Sequence, residues 1–164
     1  MLINCKSIKY LQYGLFIFVL FILSSCAAGK KTARKTEKVD LIIETARSYI
    51  GTPYKWGGTT RTGMDCSGLL YNSFMVVGMA IPRTSRDQAK FGKLVSFYDL
   101  QPGDLVFFSG KKGSRKVTHV GMVTEVKDKH NVQFIHASSS LGVVENNIYS
   151  NYYRGIFVKA RRPF

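Results

Sequence analysis

The chain is predicted to fold as one α+β domain, with a helix packed on an antiparallel sheet. Up to Gly92 its apolar residues recur mainly at helical spacing, and from Gln101 onward they alternate as strands do. Helices first and a strand meander second segregate the two kinds of element, which is the α+β pattern. Size agrees, because 164 residues with 45% hydrophobic content fill one core and leave only an appendage.

The appendage comes first. Lys6 and Lys9 precede an unbroken apolar run, LFIFVLFIL from Leu15 to Leu23, and then come Ser24, Ser25 and Cys26. A basic start, a short apolar core and small residues before a cut make an export signal. The run falls short of the roughly 20 residues a membrane-crossing helix needs. Ala27 to Asp40 is polar and basic, five Lys or Arg against Glu37 and Asp40, and reads as a solvated linker. The expected layout is a signal at 1–25, a linker at 26–38 and a folded domain at 39–164.

A helix is expected over Val39 to Ile50, with Leu41, Ile42, Thr45, Ala46, Tyr49 and Ile50 on one face and Gly51 and Pro53 as its stop. The glycine-rich stretch TPYKWGGTTRTGM follows; it lacks GxxxxGK[ST] and a preceding strand, so it is no phosphate loop. Asp65 suits the N-cap of a second helix, in which Leu69, Leu70, Phe74 and Val77 repeat at helical spacing before Gly78. A short helix opened by Thr84 or Ser85 fits TSRDQAKFG. Strands are then expected at DLVFFS, VTHVGMVTEV, NVQFIHAS, GVVEN and GIFVKARR, with a polar turn around Lys127 to His130 between the second and third.

Three cysteines with no CxxC pair suggest neither a zinc site nor a disulfide framework. Cys66 falls in the first turn of the second helix, where unpaired N–H groups and the helix dipole favour a thiolate. Its pKa is therefore expected to fall. Small neighbours, Ser67 and Gly68, leave room for a substrate carbonyl, and the Cys66 N–H is available to an oxyanion. A cysteine nucleophile needs a base, and the chain offers His119, His130 and His136. His130 lies in the polar turn. His119 and His136 lie in successive strands, and an even turn would set them on one face, opposite or diagonal; an odd turn without a bulge would separate them. The expected roles are Cys66 as nucleophile, His119 as base and later acid, and His136 as the group that orients His119.

Charge bears on the partner. The formal charge of +14 drops to +12 without Lys6 and Lys9 and to +9 without the basic stretch Ala27 to Asp40. A basic face suits a polyanion, but no aromatic-interleaved basic motif marks a nucleic-acid binder.

Seven pieces of the domain, GTPYKWGGTT, MDCSGLLY, IPRTSRDQ, PGDLVFF, THVGMV, FIHASSS and ARRPF, resemble in order the NlpC family of papain-like cell-wall cysteine peptidases. The resemblance implies a papain-like fold with catalytic Cys66, His119 and His136, and no metal or cofactor. It implies that Tyr54 lies beside the nucleophile to hold the oxyanion or substrate, and that Asp65, Ser67, Arg83 and Ser85 line the substrate side. Arg83 is a candidate partner for a substrate carboxylate. Leu23, Ser24, Ser25 and Cys26 resemble a bacterial lipobox, implying an acylated Cys26 and a lipid-anchored protein of the cell envelope, expected at the outer membrane and facing the periplasm. The small lipoprotein members are the most similar. Their substrate is the peptidoglycan stem peptide, cut at D-γ-glutamyl-diaminopimelate or D-alanyl-diaminopimelate. Members that recognise a free terminal L-alanine generally carry a preceding SH3-like domain, so intact or cross-linked wall is the expected substrate here. The same Cys66 and His119 would also serve a papain-like amidase or acyltransferase acting on another acyl group, and a non-enzymatic wall-binding lipoprotein would need only the fold.

Overall fold

A computed structural model describes residues 32–164. The signal, the lipobox, Cys5 and Cys26 lie outside the described residues. The chain divides into two units, 1–37 and 38–164. Of the first, residues 32–37 are helical and exposed.

Helix α1 covers 32–47, beginning inside the expected linker and ending earlier than Ile50. The sequence TARKTEK contains no Gly or Pro and is rich in strong helix formers, so nothing local stops the helix from extending upstream. Val39, Ile42, Ile43 and Ala46 are its buried residues, at the i, i+3, i+4, i+7 spacing of one face. Leu41 and Ile50, expected on that face, are 42% and 53% exposed. The stripe therefore turns on Ile43 rather than Leu41. Gly51, at φ +85°, takes the left-handed conformation that closes the following turn.

A two-stranded hairpin, β1 Thr59–Thr60 and β2 Gly63–Met64, leads into helix α2, Cys66–Met75. Asp65 is its N-cap, accepting from the Gly68 N–H at 2.6 Å. Helix α3, Ser85–Gln88, is capped by Thr84, as the sequence suggested. Strand β3 is Lys93–Val95, followed by a 3₁₀ turn at Phe97–Asp99. The main strands are β4 Leu105–Ser109, β5 Val117–Asp128, β6 Asn131–Ser138 and β7 Gly142–Asn147. Helix α4, Asn151–Ile156, precedes β8, Phe157–Arg162.

Six strands form one antiparallel sheet in the order β3-β8-β4-β5-β6-β7. Every residue of β4 is buried, because both faces of the sheet are covered. On one face Phe107, Val120, Met122 and Ile135 pack against Leu69, Leu70 and Phe74 of α2 and the buried stripe of α1. On the other, Val106, Phe108, Val123 and Phe134 pack with Ile148 and with Ile156 of α4. The sequence reading missed β3 and α4, and merged the end of α4 with β8. Three and six residues are too few for a period to show.

The β5–β6 hairpin has a two-residue turn, Asp128 pairing with Asn131, and two register shifts, one at Lys127 and one at Thr124. Beyond them Met122 pairs with Ile135, so the register places His136 two residues along from His119 on the same face. A regular hairpin would have placed it four residues along. Gly121 lies at this crossing, where an added Cβ would sit 2.6 Å from the Phe134 ring and 2.8 Å from the Ile135 carbonyl oxygen. Only glycine lets the two strands approach there without displacement.

Candidate active site

Cys66 stands at the first residue of α2, and its position follows from the cap. The Asp65 carboxylate accepts from the Gly68 N–H at 2.6 Å, the Gly57 N–H at 2.9 Å and the Ser67 hydroxyl at 3.0 Å. Arg83 closes the cluster with two bonds of 2.9 Å to the two Asp65 oxygens and another of 2.9 Å to Ser67 Oγ. One carboxylate thus ties the glycine-rich loop, the start of α2 and the segment before α3. Arg83 makes a bidentate bond to a carboxylate within the protein while also lining the cavity beside Cys66. Gln88, fully buried, donates to the carbonyls of Ser67 and Pro82 at 3.1 and 2.8 Å, bracing the first turn of α2 from behind.

The Cys66 thiol is 7% exposed and is met by the backbone N–H of Val120, the residue that follows His119 on β5. Burial pushes the thiol up to about 11; the N–H groups of Val120 and Ser67 act against it, while the Asp65 charge adds to it. The expected fall in its pKa is overturned. Only one end of a helix faces the thiol, whereas burial removes water from all sides, and the nearest full charge is negative.

His119, half-buried on β5, has its Nε2 2.8 Å from Nδ1 of His136 on β6, and the two rings meet edge to face. Burial, with His136 beside it, holds His119 well below the ordinary imidazole value. His136 is buried and stacks on Phe134. Its Nε2 lies 2.9 Å from Asn146 Oδ1 on β7 and 3.1 Å from the Tyr153 hydroxyl on α4. His130 is exposed in the β5–β6 turn against Tyr149, away from this cluster.

Two adjoining cavities open at the site. One, of about 340 Å³, is lined by Tyr54, Asp65, Cys66, Ser67, Arg83 and Ser85, the whole set that the sequence put on the substrate side together with the nucleophile. The second, of about 440 Å³, holds His119, His136, Ser138 and Tyr153. Tyr54 and Thr118 wall both. Burial raises the Tyr54 phenol, and its neighbours Cys66 and Asp65 act in the same direction. Sequence reasoning missed Asn146, Tyr153 and the exposed Trp56 at the cavity rim. Asn146 sits in an alternating stretch that marks a strand but not a role, and Tyr153 lies in the unforeseen α4. Among the described residues no group of His, Cys, Asp and Glu is arranged to hold a metal, and no helix is long and apolar enough to cross a membrane.

Known proteins resemble the chain in sequence and in fold. The chain is 35% identical to a probable endopeptidase NlpC of Escherichia coli over 93% of this chain and 99% of that protein. It is 46% identical to a γ-D-glutamyl-L-lysine dipeptidyl-peptidase of Bacillus subtilis, over 60% of this chain but 36% of that one. An NlpC/P60 family protein from Bacillus cereus superposes with a TM-score of 0.68 at 33% identity, covering 76% of this chain and 39% of its own. The peptidoglycan hydrolase RipB of Mycobacterium tuberculosis does so at 0.65 and 28% identity, covering 80% and 67%. The chain thus matches one relative nearly end to end and spans only about a third of longer ones. The family model that fits residues 51–162 takes in the glycine-rich loop, Cys66, both strand histidines and β8, and with it the chain belongs to the NlpC/P60 family.

Proposed function

We propose that the chain is a cysteine-type endopeptidase that cuts amide bonds in the stem peptides or cross-links of peptidoglycan, at D-γ-glutamyl-diaminopimelate or D-alanyl-diaminopimelate. The observation that carries the reading is the thiol of Cys66 at a helix start, held against β5 one residue from a histidine whose far nitrogen is bonded to a second histidine. The functions of the relatives, probable endopeptidase and peptidoglycan hydrolase, point the same way. So does the basic surface, since stem peptides carry free carboxylates.

In this mechanism the resting pair is neutral. As the thiol sulfur attacks the scissile carbonyl, its proton passes to Nδ1 of His119, the C–S bond forms, and the carbonyl π pair moves onto oxygen. The Cys66 N–H and the Tyr54 hydroxyl are the donors to that oxygen. Collapse of the intermediate expels the amine, which takes the proton from His119 and leaves an acyl-enzyme. Water, deprotonated by the same nitrogen, then frees the acid. Asp65, Arg83 and Ser67 fix the loop and the first turn of α2, while Ser85 lines the cavity that receives the peptide.

Mass analysis of muropeptides after incubation with purified sacculi tests the function and names the bond. New amine and carboxyl termini within stem peptides, formed in the presence of a chelator, are the expected result. No change in the muropeptide profile overturns the reading.

The neutral resting state has its own test. Iodoacetamide should alkylate Cys66 in the free protein slowly at pH 7, with the rate still rising above pH 9, because a raised thiol pKa leaves little thiolate below it. A rate that levels off by pH 7 would mean a preformed thiolate–imidazolium pair.

Cys26 is proposed to carry the lipid anchor, each buried CH₂ of which adds about 0.8 kcal/mol to membrane binding. A Cys26→Ser protein should shift from the membrane to the soluble fraction of the envelope. Retention in the membrane would instead assign the apolar segment as the anchor.

A further inference from the structure

The proposed reaction depends on which nitrogen of His119 carries the proton before the thiol gives up its own. A neutral imidazole has one donor and one acceptor nitrogen, and only the tautomer with Nδ1 bare can take a proton at that atom. His119 and His136 alone do not decide this. A bond of 2.8 Å between Nε2 of one ring and Nδ1 of the other is equally well made with the proton on either side.

The far end of the chain decides it. Nε2 of His136 faces two oxygens, Asn146 Oδ1 at 2.9 Å and the Tyr153 hydroxyl at 3.1 Å. The Tyr153 hydroxyl in turn donates to the same Asn146 Oδ1, at 3.1 Å, so its one proton is already used. Both oxygens are then acceptors toward His136, and Nε2 must be the nitrogen that carries hydrogen. Its Nδ1 is consequently bare and accepts from His119, which fixes the proton of His119 on Nε2 and leaves bare its Nδ1, the nitrogen that takes the thiol proton in the proposed mechanism. We infer that Asn146 and Tyr153 are positioning residues that set the tautomers of both histidines, and with them the direction of proton transfer from Cys66.

Each member comes from a different element: His119 from β5, His136 from β6, Asn146 from β7 and Tyr153 from α4. Phe134 stacks on His136 and Phe108 lies against His119 and Tyr153, while Ser109, Thr118 and Ser138 line the same cavity. Among the described residues no carboxylate is hydrogen-bonded to either ring. Tyr153 stays a neutral donor, since burial raises its phenol and the neighbouring Tyr152 adds to this. When His119 gains its second proton, the bare Nδ1 of His136 accepts from Nε2–H of the cation without itself being protonated.

This inference deepens the proposed mechanism, and its first test needs no activity. Long-range ¹H–¹⁵N spectra of the full chain with Cys66→Ala should show both His119 and His136 as Nε2–H tautomers. Either ring found as the Nδ1–H tautomer overturns the inference, whatever the protein does to a sacculus. The second test uses isosteric variants. Asn146→Asp puts a negative charge beside His136 and favours its cation, whose Nδ1–H would turn His119 over to the unproductive tautomer. The acid limb of kcat should therefore move up by about one pH unit or more, with KM little changed. Tyr153→Phe keeps Asn146 as an acceptor and should lower kcat only about 2- to 10-fold with the acid limb in place. An Asn146→Asp protein that folds and keeps the wild-type acid limb overturns the inference. Failure of sacculus cleavage by the wild type, with both Nε2–H tautomers seen, would count against the substrate and not against the relay.

Discussion

Cys66→Ala protein should leave purified sacculi unchanged, with cleavage reduced at least about 10³-fold relative to wild type. The size follows from what is lost. Without sulfur there is no acyl-enzyme, and the base would have to activate water at a position built for a side chain. Residual rate can come only from binding and from the oxyanion donors, which persist in the variant. Stability should fall only modestly, by about 1–3 kcal/mol, because the loss is one small buried group and the sulfur acceptor of the Val120 N–H. The check is paired: muropeptide analysis for product, and thermal melting for fold. Equal product from variant and wild type would remove Cys66 from the mechanism. No product from either would leave the thiol in place and reassign the substrate.

Asp65→Ala should be the most damaging change that touches no substrate. It deletes an N-cap and leaves Arg83 without its two bonds, Ser67 without its acceptor and the Gly57 N–H unpaired. Loss of a cap alone costs about 1 kcal/mol, and stranding the partly buried guanidinium adds more, for a total on the order of 2–4 kcal/mol once the exposure of Arg83 is discounted. Activity should fall with it, since α2 would no longer start where Cys66 needs it. Burial alone would raise the Asp65 pKa, but the bonds from Arg83, Gly68 and Ser67 outweigh it and hold it below the ordinary carboxylate range. The stabilisation is therefore full above the unfolded carboxylate value of about 4 and fades as pH falls through the lower folded value. Urea midpoints for wild type and variant should differ widely at pH 7 and converge below pH 4. Equal midpoints at pH 7 would mean that the cluster holds nothing together.

What the sequence revealed and what it hid divide along a physical line. Helix α2 and strands β4 to β6 were legible because their periods are long enough to show and each end has a local signal, Asp65 at one and the polar turn at the other. The pairing of His119 with His136 was legible only as a condition on the turn. The thiol pKa was misread because a helix start is a local feature, whereas the burial that dominates it is supplied by the sheet against which the helix lies. The bonds between Arg83 and Asp65, 18 residues apart, were hidden for a similar reason: they form only once the loop folds back. Asn146 and Tyr153 carry no sequence signal of their own, because their role exists only where four elements converge.

The two register shifts in β5 bear on how such a protein can change. They act as a vernier between the strands. Deleting Thr124 or Lys127 would remove a bulge and leave the pairs beyond it in place, Val123 with Phe134 and Met122 with Ile135, so His119 and His136 would keep their spacing. Deleting one residue of β6 with both bulges kept would instead move His136 onto the opposite face of the sheet from His119. The count of paired residues between the turn and the two histidines, and not the total length of β5, is therefore part of the reaction geometry. Two descendants of one ancestor could differ at most of its positions and still keep that count.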